Sequence, residues 1–337
     1  MLPNKSVLFI SFSMKFIYTA VFAQFHDSFS DGDFTSDPSW WGNDSLFIVN
    51  DDGELQVYAQ TEGEAFLFTE SIIANSIEWN FRVKLAFSPS NNNCVKLWLL
   101  IDDFDIHTYT IKSGVYFLIG EQGQADAGRL FEFYEGETHE ILSGTEGSLA
   151  TAFSKDFKVR RTIDDEWFIF SKNTNEYNYT LENKGYYNSN INNSILFGIQ
   201  CKYTKSNSKK FYFDNFEVKT IDVDTTKPFV TNLIYNFDNS FTICFSKEII
   251  QNNIYSYYLK NSLINPDTII QINSNCLKLV FNKYFEENYS DYLCVNNIYD
   301  LNFNLLKDTC IYFNINYLNY GDVIINEILF DITPTLC

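Results

Sequence analysis

The chain is predicted to be all-β, built as two successive sandwiches, and three observations carry that prediction. Apolar residues sit at alternate positions in short runs, aromatic residues are abundant, and no segment shows the 3.6-residue period of an amphipathic helix. The 33 Phe and 22 Tyr suit pleated, half-buried surfaces. The 337 residues suffice for about two domains of roughly 150 residues, and an apolar fraction of 45% excludes wholesale disorder.

The clearest strand is 77–87, with Ile77, Trp79, Phe81, Val83, Leu85 and Phe87 on one face and Glu78, Asn80, Arg82, Lys84 and Ala86 on the other. Comparable runs are 46–50, 54–59, 65–69, 95–101, 115–120 and 129–134. Runs 157–163 and 167–171 flank Asp164, Asp165 and Glu166, which reads as a tight hairpin. Runs 195–203 and 211–218 close the first sandwich, assigned to residues 24–220. Residues 221–227 are polar and run into Pro228, as a linker does. A second, smaller sandwich follows over 228–318, with shorter strands at 229–235, 241–245, 268–272, 277–281, 292–295 and 309–315. A single extra strand, 323–330, falls in the last segment, 319–337.

Residues 1–23 read as a signal peptide. Lys5 precedes apolar runs at 7–12 and 16–22, and Val21, Phe22 and Ala23 form a small-residue cleavage site that leaves Gln24 as the mature end. Met14 offers a second, shorter start. No run reaches the roughly 20 continuous apolar residues of a membrane span, so the expected location is secreted or on the outer cell surface, without an integral membrane segment. The net charge is −19, and residues 24–150 hold 22 acidic against 5 basic side chains. That balance excludes nucleic acid and anionic membranes as partners and leaves cations, glycans or surface proteins. Seven cysteines without a C-x-x-C pair, and three scattered histidines, argue against zinc. Cys244, Cys276, Cys294 and Cys310 each take the parity opposite to the aliphatic residues of their strands, which places them on outer faces. Disulfides among these four are expected, with all three connectivities open.

The segment Asp27 to Phe34, followed by Pro38, Ser39, Trp40, Trp41 and Gly42, resembles the opening of exported concanavalin-A-like or laminin-G-like jelly rolls. The hairpin from Lys158 to Trp167 and the closing run Phe211 to Val218 share that resemblance, which covers about residues 25–220. Asp224 to Pro228, with Phe245 to Glu248 and Ile298 to Asp300, resembles bacterial Ig-like domains of surface proteins. Gly321 to Pro334 is similar to the first strand of a lamin-tail domain. Together these imply a multidomain bacterial surface protein: a jelly-roll β-sandwich, a smaller Ig-like β-sandwich as spacer, and a truncated lamin-tail start.

The resemblance implies structural calcium between the first and last jelly-roll strands, with Asp27, Asp31, Asp33 and Asp214 as ligands and Asp102, Asp103 and Asp105 as a second cluster. The Glu-x-Asp-x-x-Glu string of glucanases on this fold does not occur. Glu132 with Glu135, and Asp103 with Asp105, are the nearest imitations of the two-carboxylate pair that glycoside hydrolysis needs. The expectation is therefore a non-catalytic module. An aromatic sugar platform would draw on Trp40, Trp41, Trp98, Tyr109 and Trp167, although Trp79 and Trp98 take the parity assigned to the core. Adjacent Trp40 and Trp41 cannot both point inward, so one of them is the expected ligand contact, with Trp167 as a third candidate. The functional reading is a carbohydrate- or protein-binding adhesive module. The alternative is the targeting front end of a longer exported hydrolase.

Overall fold

A computed structural model of the chain describes residues 23–73, 76–121, 123, 125–221, 224–250 and 253–315. The expected signal peptide apart from Ala23, the extra strand at 323–330, Cys337, and Asp222 and Val223 of the linker lie outside the described residues.

The first sandwich holds fifteen strands: β1 Ala23–Asp27, β2 Trp41–Gly42, β3 Phe47–Val49, β4 Leu55–Val57, β5 Gly63–Ile73, β6 Ile77–Leu85, β7 Cys94–Asp105, β8 Thr110–Ile119, β9 Arg129–Tyr134, β10 Glu137–Ser143, β11 Phe153–Arg161, β12 Glu166–Asn173, β13 Thr180–Tyr186, β14 Ser194–Tyr203 and β15 Phe211–Thr220. One sheet runs β13-β12-β11-β6-β15-β4-β3, with β1 also on β15. The other runs β10-β9-β8-β7-β14-β5-β2. Their ladders are antiparallel. The long central strands explain the order: β6 alternates, and β15 alternates on either side of a bulge between Asp214 and Glu217, so both can be buried on one face against the opposing sheet.

One continuous core lies between these sheets. Val83, Phe81 and Trp79 of β6 meet Val95 and Leu97 of β7, Phe117 of β8 and Ile199 of β14. The β11–β12 hairpin turns where its acidic residues predict, with Arg161 opposite Trp167 and Asp165 in the left-handed region at φ 58°.

The second body comprises β16 Val230–Tyr235, β17 Ser240–Phe245, β18 Tyr257–Leu259, β19 Thr268–Asn273, β20 Cys276–Val280, β21 Ser290–Val295 and β22 Thr309–Asn314. Its sheets run β16-β17-β20-β19 and β18-β21-β22 around a separate core centred on Phe241, Tyr257, Leu279, Phe285 and Leu293. Cys244 faces Cys276 and Cys294 faces Cys310 in register, and each pair is a disulfide, with Cα atoms 4.1 and 4.0 Å apart. Cys294 departs from its expected outer position in one respect: it is buried, while Cys310 across from it is exposed.

The two bodies touch through the outer face of the first sheet. Arg160 of β11 donates to the Leu301 carbonyl at 2.7 Å and to Asn302 Oδ1 at 2.6 Å, and Phe303 stacks on Phe168 with centroids 5.1 Å apart. Lys247 bridges Asp224 of the connecting segment and Asp300.

Candidate ligand-binding face

The two sheets of the first sandwich differ in what their outer faces carry. The outer face of the β6-containing sheet is a ladder of charge: Lys84 with Glu54, Arg82 with Asp156 and Asp214, and Glu78 with Lys158, Arg160 and Lys219. The outer face of the β7-containing sheet is aromatic. An antiparallel sheet with one covered face normally alternates apolar-in and polar-out. This one is apolar on both sides.

The aromatic residues follow one register line across six strands. Trp41 on β2 faces Phe68 on β5, Phe68 faces Gly198 on β14, and Gly198 faces Trp98 on β7. Trp98 then faces Tyr116 on β8, and Tyr116 faces Phe131 on β9. At roughly 4.8 Å per strand the row spans about 24 Å. Adjacent rings touch, with centroids 5.4 Å apart for Trp41 and Phe68, 4.7 Å for Trp98 and Tyr116, and 5.5 Å for Tyr116 and Phe131. Gly198 is required in the middle, because a Cβ there would stand 2.6 Å from Phe68 Cδ1. Two residues along the strands a second row reads Phe66, Gln200, Lys96, Leu118 and Arg129.

Register shifts at Trp98/Leu100, Ile101/Asp103 and Asp103/Phe104 bend the long β7–β8 hairpin. Its end packs on the aromatic face, with Phe104 4.9 Å from Phe68 and Tyr109 5.3 Å from Phe66, centroid to centroid. Between hairpin and sheet lies a groove of about 360 Å3. Its apolar lining includes Phe66, Trp98, Tyr109, Tyr116 and Phe133, and its polar lining is Glu64, Lys96, Thr110, Thr138 and Gln200. The Trp98 indole N–H donates to Gln200 Oε1 at 3.0 Å, which turns the Gln200 amide so that its NH2 donates to Glu64 Oε2 at 3.4 Å. Burial raises the Tyr116 phenol above its ordinary pKa and lowers that of the Lys96 ammonium, both by desolvation.

The candidate residues distribute as follows. Trp41 and Tyr109 lie on the aromatic face, and so does Trp98, which is buried as its parity suggested but in a separate cluster with Phe68, Ile101, Tyr116 and Leu196 on the outer side of its sheet. Val95, Leu97 and Leu99 are the inward set of β7. Trp40 and Trp167 are core residues, 1% and 0% exposed, and cannot meet a ligand. Trp40 donates to Asp27 Oδ2 at 2.8 Å, and Trp167 lies parallel to Trp79 with centroids 6.1 Å apart. The expected calcium ligands are not gathered into one cluster in this structure, and each makes local hydrogen bonds or ion pairs. Asp27 also accepts from the Phe29 amide, Asp31 accepts from the Asp33 amide, and Asp33 accepts from Thr35 and Ser36. Asp214 pairs with Arg82 and Asn215. Among the described residues no three His, Cys, Asp or Glu are grouped to hold a metal. Burial raises the Asp27 carboxyl, partly offset by its Phe29 and Trp40 hydrogen bonds. Of the carboxylate pairs, Glu132 is fully buried and consumed by Tyr187, Ser189 and Asn190, which lower its pKa against the raising effect of burial.

Phe66, Phe68, Tyr116, Phe131, Lys96 and Gln200 carry the face without having been singled out from sequence. A signal for them exists: β5, β7, β8 and β9 hold large apolar residues at both parities, whereas β6 does so at one.

No protein-family model and no curated protein matches the chain. Solved structures similar to it include the carbohydrate-binding module CBM66 from Bacillus subtilis, 13% identical, covering 54% of this chain and 95% of that one at a TM-score of 0.37. The carbohydrate recognition domain of Emp47p is 10% identical and covers 62% and 99% at 0.43. A legume lectin-like domain from Entamoeba histolytica is 9% identical and covers 55% and 90% at 0.40.

Proposed function

We propose that the first sandwich is a glycan-binding module and that the groove over Trp98 and Tyr116 is its binding site. The observation that carries this reading is the groove itself, whose half-buried Phe66 and Phe133 and exposed Tyr109 stand over a floor of buried Trp98 and Tyr116 beside hydrogen-bonding side chains. Aromatic planes offer a sugar ring an apolar surface, and Glu64, Gln200, Thr110 and Thr138 offer hydroxyl partners. Glu64 is the one carboxylate among the groove's lining residues, whereas glycoside hydrolysis uses two, so the reading is binding without cleavage. The charged face of the opposite sheet carries the second body, which in this proposal is an Ig-like spacer that leaves the aromatic face outward. Export to the outer cell surface belongs to the same proposal, on the strength of residues 1–23.

The test is a glycan array probed with the chain, followed by titration of the strongest hit against Tyr109→Ala. Tyr109 is 41% exposed, so its truncation spares the fold. The proposal expects a defined sugar class to bind, with affinity reduced about tenfold in the variant, a loss of roughly 1.4 kcal/mol. A folded chain that binds no glycan contradicts it.

A further inference from the structure

We infer that this groove selects sugars bearing a carboxylate, and that Lys96 is the group that pairs with it. The inference rests on the glycan-binding reading of the same groove and narrows it to acidic glycans.

Lys96 occupies the second row of the aromatic face, between Gln200 on β14 and Leu118 on β8. Its Nζ stands 4.6 Å from the Tyr116 ring centroid and 5.8 Å from that of Trp98, so the ammonium lies over the groove floor. Among the described residues no Asp or Glu oxygen comes within 4.0 Å of it. Glu64 is the nearby candidate, but its carboxylate takes the Gln200 amide, whose direction is set by the Trp98 N–H. The result is a half-buried ammonium with three donors, ring faces beneath it and no acceptor. Desolvation depresses its pKa, with Cys94 and Glu64 opposing only in part. Some cations of this sandwich have anions at hand: Arg82 has Asp156, Arg129 has Glu121, Arg160 has Glu78 and Lys184 has Glu166.

An unpaired charge in a partly dry groove is costly, and an anionic ligand removes that cost by forming a charge-assisted hydrogen bond. A sugar hydroxyl offers only a dipole there. Glu64 on the other side of Gln200 repels a carboxylate, which fixes the polarity of the bound sugar. Its acid group points to Lys96, and its hydroxyl edge to Gln200 and Glu64.

The experiment is calorimetric titration of the whole chain with a uronic-acid oligosaccharide and its carboxyl-reduced neutral counterpart. The acidic sugar is expected to bind about tenfold more tightly, and added salt to weaken it selectively. Lys96→Met should bring the two affinities together, and Lys96→Arg should keep the preference. Equal or tighter binding of the neutral sugar, or a preference that survives Lys96→Met, overturns the inference and leaves glycan binding standing. A chain that binds neither sugar and no arrayed glycan overturns both.

Discussion

Position 198 decides whether the aromatic face can exist. Phe68 and Trp98 approach the same strand from opposite sides, and only a hydrogen atom fits beneath Phe68. Gly198→Ala is expected to displace that ring, lower stability by about 1–3 kcal/mol as overpacking does, and weaken glycan binding. Calorimetric melting and titration of the variant read both effects. Asp27 is decisive in a different way. It holds the Trp40 indole and the Phe29 amide inside the core. Asp27→Ala leaves two buried donors unpaired and should cost about 1–3 kcal/mol for each. Chelator should leave the melting temperature of the wild-type chain unchanged, because the Asp27 oxygens already have partners. The short acidic side chains at 27, 31 and 33 close turns on their own backbone. Trp98 is buried, as its parity suggested, yet on the outer side of its sheet, because a parity argument assumes one wet face and β7 has apolar residues on both.

Strands with one buried face were legible, because period-two alternation over five or more residues is a consequence of the pleat itself, whereas β1, β2, β18 and the largely exposed β10 and β13 were not. Ile77 to Leu85 behaves as the pattern requires, apart from Glu78, which is buried among three cations. The bending of the β7–β8 hairpin was not legible. Bulges depend on how two distant registers are reconciled, and no local residue type announces them. Cysteine pairing lay between these cases: parity put the four cysteines on one kind of face, but only the strand order puts Cys244 beside Cys276 and Cys294 beside Cys310. Loops of 32 and 16 residues are closed by these bonds. Reduction is therefore expected to destabilise the second body by about 3 kcal/mol per bond while leaving the first body's transition in place. Two-transition calorimetry with and without reductant checks this, and equal loss in both transitions would contradict it.

At the scale of the molecule, the two sheets divide the labour. The charged face holds the second body through Arg160, and the aromatic face is left for a ligand. Glu78 anchors the charged side. Burial alone would raise its pKa, but Lys158, Arg160 and Lys219 outweigh burial and hold the carboxyl at about 2, below its ordinary 4.5. A depressed carboxyl contributes stability that is complete above about pH 4.5 and drains away as the pH falls towards 2. Glu78→Gln should flatten that acid limb and cost about 3 kcal/mol at neutral pH, because three cations lose their shared anion. Denaturant melts between pH 2 and 7 measure both. The most direct test of the central claim is hydrogen exchange of the whole chain with and without the glycan that binds best on the array. Binding at the aromatic face predicts new protection in β5, in β14 and in the β7–β8 hairpin around Phe104 to Ile111, with β6 and β11 unchanged. Protection confined to β6, β11 and the contact with the second body would place the ligand on the charged face and contradict the account.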